Sequence, residues 1–202
     1  GALLKVHSAA YLTFLRTAWQ QWLAVDPNNV GVQPFPSVWP VRSLRHDLEP
    51  DNFTAKLGLY SMDNGTPLVA GTWEAAKAGA DAAASAAALL SKGERGVFCA
   101  TRPPGHHAGA DFMGGYCFLN NGNGTQSIYY GCSDVLVVSV HGDPRTEYPF
   151  YLGHADEVGT GEGIGFNMNL PLPAGTTVER WFSALEAACK RIERHRAEAL
   201  VV

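Results

Sequence analysis

The sequence has little of what would point to a nucleic-acid or membrane partner. It contains no basic tract, and Lys and Arg total 15 against 19 Asp and Glu, for a net charge of −4. Nucleic acid is therefore a poor candidate partner. No apolar run reaches the ~20 residues that a membrane-spanning helix needs, so we expect no membrane partner. Residues 1–8 lack the charged and apolar regions of a signal peptide.

Two motif classes are also missing. None of the four cysteines forms a C-x-x-C pair, and all lie in apolar or Gly-rich surroundings: Cys99, Cys117, Cys132 and Cys189. We expect free thiols in a reducing compartment, hence the cytoplasm, with a disulfide or a thiolate zinc site as the alternative. The alternating glycines of residues 159–165 do not form G-x-G-x-x-G, which argues against a dinucleotide site.

What is present favours one globular domain over residues 1–202. Hydrophobic residues are 46% of the chain and charged residues 17%, a balance that supports a sizeable core. The patterns predict helices over Ser8 to Val25, Thr72 to Leu90 and Thr176 to Arg194. Thr72 is the expected N-cap of the second helix, and Thr176 with Glu179 forms the expected capping box of the third. The proline-rich stretch 28–67 is predicted to be mostly loop.

Short apolar runs between these helices predict strands. They cover Gly96 to Ala100, Val135 to Val140 and Ala199 to Val202. Helices alternating with such strands predict an α/β fold with a mostly parallel sheet flanked by helices. Parallel neighbours need a crossover, usually a helix, yet no helical pattern of ten residues separates the first two runs. Ligands bind beyond the carboxyl ends of such strands, so this gap lies where a site is expected.

Two adjacent histidines are the strongest candidate for chemistry. The run Arg102-Pro-Pro-Gly-His-His-Ala-Gly directly follows the first predicted strand, and Asp111-Phe-Met-Gly-Gly-Tyr-Cys-Phe-Leu-Asn-Asn121 continues it. An imidazole gains and loses its proton near neutral pH, so His106 and His107 could share base and acid duties. The bare pair is also compatible with two hydrogen-bonded loop histidines of no catalytic role.

These motifs resemble the arginase/deacetylase superfamily. They are similar, in the same order along the chain, to motifs of the zinc-dependent histone deacetylases and acetylpolyamine amidohydrolases. The motifs are the run from Arg102 to Asn121, then Gly122-Asn-Gly-Thr-Gln126, then Val138-Ser-Val-His-Gly-Asp143. The segments Leu4-Lys-Val-His7, Gly71-Thr-Trp-Glu-Ala-Ala76 and Gly142-Asp-Pro144 favour the acetylpolyamine branch. The resemblance implies an arginase/deacetylase-like fold and hydrolysis of an acetyl amide.

The resemblance also implies residue roles. In the family, a zinc-bound water attacks the acetyl carbonyl and a tandem histidine moves the protons. His107 matches the general base and acid, and His106 its electrostatic partner. Asn123 matches the residue that orients the second histidine. Gly115 matches the glycine whose carbonyl accepts the substrate amide N–H.

Further positions match the substrate tunnel and a cation site. Tyr116 and Tyr148 match its two aromatic walls, and an apolar slot suits a methylene chain. Ser139 and the Val140 carbonyl match part of a monovalent cation site, such as one for potassium. A buried strand end explains those two residues equally well.

The zinc ligands that the resemblance implies are absent from the sequence. The family holds zinc by an Asp and a His of a D-x-D-x-H-H run and by a later Asp. That run would stand between Asn121 and Gly122, which are adjacent here, and the later Asp would follow Val202. His141 and His154 do not rebuild the site. Either segments of a longer protein are missing from this sequence, or the molecule is an internally deleted relative; we favour the first.

Three functions remain open at this point. The first is a metal-dependent amidohydrolase that removes acetyl groups from N-acetylated polyamines, possible as a homodimer. The second is a protein acetyl-lysine deacetylase. The third is a catalytically dead, truncated deacetylase fold. A loop with four acidic residues could receive the distal ammonium of a polyamine, although ordinary solvated charge explains it too: Asp47, Glu49, Asp51 and Asp63.

Overall fold

The computed structural model describes residues 2–41, 43, 45, 47–120 and 125–202. They fall into two compact units, Gly1–Gly124 and Thr125–Val202, and each is described by itself. The Asn121–Gly122 junction and Asn123 lie outside the described residues. The single domain over residues 1–202 therefore stays a prediction.

The first unit is built around helix α1, Ala9–Val25. Ser8 is its N-cap, because the Ser8 hydroxyl accepts a hydrogen bond from the Tyr11 amide at 3.2 Å. One face of the helix is buried: Tyr11, Phe14, Leu15 and Ala18. The predicted helix from Ser8 to Val25 is confirmed, since apolar residues at helical spacing supply a core-facing stripe.

The stretch predicted as loop contains a helix. Residues Pro27–Gly31 form a 3₁₀ turn, and α2 spans Phe53–Leu59 behind the N-cap Asn52. Helix α2 buries Phe53, whose ring centroid lies 6.3 Å from that of Phe14 in α1. The described residues of the stretch are otherwise mostly loop, as predicted, and α2 forms about two turns because a short apolar face is buried against α1.

Helix α3 spans the predicted range, Thr72–Leu90, but its N-cap is Gly71 at φ +82° rather than Thr72. The Thr72 hydroxyl instead accepts a hydrogen bond from the Val69 amide at 2.9 Å. The strand predicted over Gly96 to Ala100 is wrong. Phe98 is 91% exposed, and no strand in the described part of the chain pairs with this run.

The second unit holds a two-stranded parallel sheet. Strand β1 is Val137–Gly142 and β2 is Asn167–Leu172, with Ser139 opposite Asn169. The predicted Val135 to Val140 strand is thus confirmed with a shift of two residues. A 3₁₀ turn at Gly161–Gly163 lies in the connection between the strands. The α/β class with a parallel sheet and helices is confirmed.

One short and one long helix accompany this sheet, and one predicted strand is wrong. Helix α4 is Thr125–Tyr129 and α5 is Val178–His195. The N-cap of α5 is Thr177, whose hydroxyl accepts from the Arg180 amide at 3.4 Å, so the predicted capping box of Thr176 with Glu179 is wrong. The Ala199 to Val202 strand is not formed; Val201 is 79% exposed.

Two expectations about the chain as a whole can be checked. All four cysteines are free thiols, as predicted. Among the described residues, no helix is both long and apolar enough to span a bilayer.

Candidate active site

The tandem histidines lie in a loop of the first unit. The ring centroids of His106 and His107 are 4.3 Å apart, with the rings at 68° to each other. The sequence predicts this pair at the carboxyl end of a strand ending at Ala100, and that placement is wrong because the strand is not formed. Contacts with other loops fix the histidines instead.

His107 packs directly on Gly115. A Cβ added at Gly115 would lie 2.4 Å from His107 Cδ2 and 2.8 Å from its Cγ. Gly115 also has φ +55°, a left-handed conformation that residues with side chains rarely adopt. Two separate physical reasons therefore favour glycine at this position. The close packing brings two predicted site residues, His107 and Gly115, into contact.

The Gly115–Tyr116 turn presents a carbonyl and an aromatic ring. Its ends are closed by two backbone hydrogen bonds between Gly114 and Cys117, at 3.1 and 2.9 Å. Tyr116 has φ +63° and is 63% exposed. The Tyr116 ring is thus accessible, and its predicted role as a tunnel wall stays a prediction.

A second loop holds this turn in place, and the sequence analysis gave it no such role. Asp63 Oδ2 accepts from the Gly115 amide at 2.6 Å, and Thr66 Oγ1 accepts from the Tyr116 amide at 3.1 Å. The partners are about fifty positions apart in the chain. The only signal in the sequence was a carboxylate in a Gly- and Asn-containing turn, Asp63-Asn-Gly, which indicates a turn but not its partner.

The buried thiol of Cys117 ties the histidine turn to the same place. Burial is the largest effect on its pKa and raises it, while the nearby backbone amides of His107, Ala108 and His106 lower it. Its S–H lies 3.4 Å from the Gly115 carbonyl oxygen. Cys117 thus stays a thiol with a structural contact on each side.

The environment of His107 favours its neutral form. Burial lowers the pKa of His107, the neighbouring His106 lowers it further, and the Asp63 carboxylate acts in the opposite direction. A neutral imidazole at neutral pH has a lone pair that can accept a proton. This is the protonation state that a general base requires.

The predicted cation-site residues lie on β1 of the second unit. Ser139 Oγ is 2.8 Å from His141 Nδ1, and His141 Nε2 is 2.7 Å from the Gly153 carbonyl. A carbonyl only accepts, so we assign the proton to Nε2, and Nδ1 then accepts from the Ser139 hydroxyl. Val140 is paired opposite Leu170 in the sheet. Both residues therefore have structural roles, and cation binding stays a prediction.

Tyr148 is one of three aromatic residues in a short segment of the second unit. Its ring centroid lies 6.4 Å from that of Phe150. Tyr151, which the sequence analysis did not single out, is 90% exposed. The wall role of Tyr148 stays a prediction, and the exposed Tyr151 is a further aromatic candidate in the same segment. Asn123, the predicted orienting residue, lies outside the described residues.

The described residues do not form a zinc site. Among them, no group of three or more His, Cys, Asp or Glu side chains could hold a metal ion. His141 and His154 are bound to backbone carbonyls, His154 to that of Phe150 at 3.0 Å. The donor set therefore does not fit the zinc that the resemblance implies.

The sequence matches a known family model along its length. The histone deacetylase domain matches residues 1–121 and 121–202, two stretches that meet where the sequence analysis placed a missing segment. Acetylpolyamine amidohydrolase 2 of Pseudomonas aeruginosa is 46% identical over 223 residues, covering 98% of this chain and 64% of that protein. Acetylpolyamine amidohydrolase of Mycoplana ramosa is 38% identical over 225 residues, covering 99% of this chain and 65% of that protein.

Solved structures agree with the sequence comparison. The crystal structure of acetylpolyamine aminohydrolase from Burkholderia pseudomallei superposes with a TM-score of 0.86 at 32% identity, covering 96% of this chain and 63% of that chain. A histone deacetylase homologue complexed with SAHA has a TM-score of 0.69 at 21% identity, over 95% of this chain and 50% of that one, which shows the fold alone. The chain spans less than two thirds of the relatives named here. It belongs to the histone deacetylase domain family.

Proposed function

We propose that the protein hydrolyses the acetyl amide of N-acetylated polyamines, releasing acetate and the free amine. The observation that carries the proposal is the contact of the His106–His107 pair with the Gly115–Tyr116 turn, in a chain whose relatives carry the name acetylpolyamine amidohydrolase. An acetyl amide offers three groups to recognise: a carbonyl, an N–H and an apolar stem. In this proposal the Gly115 carbonyl contacts the N–H and the Tyr116 ring contacts the apolar stem. The histidine pair supplies a base beside them.

The residue roles in this proposal follow the family resemblance, and the packing of His107 on Gly115 supports two of them. Neutral His107 takes a proton from the attacking water and returns it to the leaving amine, with His106 as its electrostatic neighbour. The Gly115 carbonyl accepts the substrate N–H. The resemblance assigns contacts with the methylene stem to Tyr116 and, in the second unit, to Tyr148. It assigns the orientation of His107 to Asn123, which lies outside the described residues.

None of the roles assigned to these residues involves a metal ion. Zinc in this family polarises the acetyl carbonyl and activates water. Because the described residues form no group of three or more metal-binding side chains, we assign no step through zinc to them. Ser139 and the Val140 carbonyl stay candidate ligands of a monovalent cation such as potassium, and cytoplasmic location and a homodimer stay predictions.

The substrate's distal ammonium is the least constrained part of the proposal. Three of the four acidic residues considered for it already have protein partners: Asp47 with Arg45 at 2.6 Å, Glu49 with Lys56 at 2.7 Å and Asp63 with the Gly115 amide. Ammonium recognition is therefore not assigned to them. The preference for a polyamine over acetyl-lysine rests on the relatives' names.

An assay of acetate release tests this function. The protein expressed from its full reading frame should release acetate from a mono-acetylated polyamine with a kcat/KM at least tenfold above that for an acetyl-lysine peptide. Elemental analysis of the same preparation should find about one zinc per chain. A preparation with neither zinc nor acetate release would identify a catalytically dead fold. A preference for the peptide would identify a protein deacetylase.

A further inference from the structure

The loop of residues 61–66 is hydrogen-bonded to the Gly115–Tyr116 turn, on which His107 packs. We propose that Asp63 is a positioning residue of the candidate site and that, with Thr66, it fixes the turn on which His107 packs. The proposal rests on the proposed function only where it assigns the Gly115 carbonyl and the Tyr116 ring to substrate. We call the hydrogen bonds of Asp63 and Thr66 to the Gly115 and Tyr116 amides the clamp. Its presence can be tested without measuring activity.

Both carboxylate oxygens of Asp63 are used. Oδ2 accepts from the Gly115 amide at 2.6 Å. Oδ1 accepts from the Gly65 amide at 3.0 Å and from the Thr66 hydroxyl at 2.8 Å. Because that hydroxyl donates to Asp63, its oxygen is free to accept from the Tyr116 amide at 3.1 Å. The Asp63 carboxylate thus orders its own loop. It also holds two successive amides of the turn, that of Gly115 directly and that of Tyr116 through Thr66.

The turn needs such an external hold. Gly115 and Tyr116 both have left-handed φ values, +55° and +63°, and a tyrosine seldom adopts this conformation unless its surroundings determine it. Two backbone hydrogen bonds align the loops: Met62 N to Met113 O and Met113 N to Tyr60 O, both at 2.9 Å. The Asp63 and Thr66 contacts continue this pairing into the strained residues, so they determine where the Gly115 carbonyl points.

Asp63 also acts on His107 through its charge. Burial and the neighbouring His106 lower the pKa of His107, and the Asp63 carboxylate raises it. Removing the negative charge should therefore lower the pKa of His107 further, a change that a purely structural contact would not produce.

Three substitutions separate the contacts from the charge. Asp63→Asn keeps the size but offers one acceptor oxygen, so its amide group must face either the Gly115 N–H or the Gly65 N–H. Thr66→Val keeps the shape and removes the acceptor of the Tyr116 amide. Asp51→Asn removes a carboxylate from an exposed loop position of the same unit and serves as the matched control.

Amide hydrogen exchange and histidine titration by NMR give the readouts. In Asp63→Asn we expect the Gly115 amide to exchange at least tenfold faster and the pKa of His107 to fall. In Thr66→Val we expect at least tenfold faster exchange at Tyr116 with the pKa of His107 unchanged. Asp51→Asn should match the wild type in all three measurements.

The outcomes distinguish this proposal from the proposed function. Unchanged Gly115 exchange in a folded Asp63→Asn protein would overturn the clamp. If that variant does not fold by circular dichroism, Tyr116 exchange in Thr66→Val decides: faster exchange supports the clamp, and unchanged exchange overturns it. Absence of acetate release by the wild type would defeat the proposed function alone, since neither readout depends on turnover.

Discussion

The imidazole of His107 lies on the bare Cα of Gly115, with its Cδ2 2.4 Å from where a Cβ would stand. Gly115 has φ +55° as well, so the backbone and the ring both exclude a side chain. A substitution here must strain the turn and push the whole ring aside, since the Cγ and Cβ of His107 are also within 3.1 Å. The histidine and the turn therefore form one packed unit.

Gly115→Ala should lower the free energy of unfolding by about 2–4 kcal/mol, from left-handed strain together with overpacking. Urea unfolding measures the change. Gly65→Ala is the matched control, because nothing lies within 4 Å of a Cβ there and its amide still reaches Asp63. Equal stability of the two variants would contradict the packing of His107 on Gly115.

In the second unit, Glu157→Gln should weaken a cluster beside β2. Glu157 Oε2 accepts from Gln126 Nε2 at 2.6 Å, the Gly153 amide at 2.8 Å and Asn169 Nδ2 at 3.2 Å. Replacing the charged acceptor by a neutral one should cost about 1–2 kcal/mol of unfolding free energy. Glu162→Gln, at an exposed position, removes the same charge as a control. Equal urea midpoints for both variants would show that the cluster gains nothing from the carboxylate.

Stability of the first unit should fall at mildly acidic pH. Burial lowers the pKa of His7 below 6.5, and its Nε2 accepts the Asn120 amide at 2.9 Å. The unfolded chain then binds a proton before the folded chain does. The free energy of unfolding should therefore be constant above about pH 6.5 and decrease below it, by at most about 1.4 kcal/mol per pH unit for each such histidine. His107, whose pKa is also lowered, adds to the same slope.

His7→Gln should flatten part of this dependence, because a glutamine oxygen can accept the Asn120 amide without titrating. His195→Gln, at the end of α5 in the second unit, is the matched control for the substitution itself. Urea unfolding at several pH values between about 5 and 8, a range that spans the ordinary pKa of histidine, provides the comparison. An unchanged slope in His7→Gln would rule out His7 as the cause.

The helices could be predicted because their signals are local. Helix α1 has apolar residues at helical spacing, the cap Ser8 and the stop Asp26-Pro27 within one window of sequence. Strands depend on partners elsewhere. The apolar run Gly96 to Ala100 has no partner in the described ranges and forms no strand, whereas Asn167–Leu172, with two asparagines and Pro171, pairs along its whole length with β1.

The same distinction applies to the candidate site. His106, His107, Gly115 and Tyr116 lie within one motif, so the resemblance could identify them together. The contact of Asp63 with Gly115 spans 52 positions, and no local pattern in either segment identifies the other as its partner. Long-range hydrogen bonds of this kind are set by how the loops pack, which a local pattern does not encode.

Acetate release by His107→Ala, measured on protein from the full reading frame with its metal content, tests the central claim most directly. Removal of a general base typically costs 10² to 10⁴-fold, as an order of magnitude, so we expect at least a hundredfold loss of kcat/KM on an acetylated polyamine with zinc content unchanged. His195→Asn should retain wild-type activity. A His107→Ala protein that deacetylates at the wild-type rate, or one that loses its zinc, would contradict the assignment of proton transfer to His107.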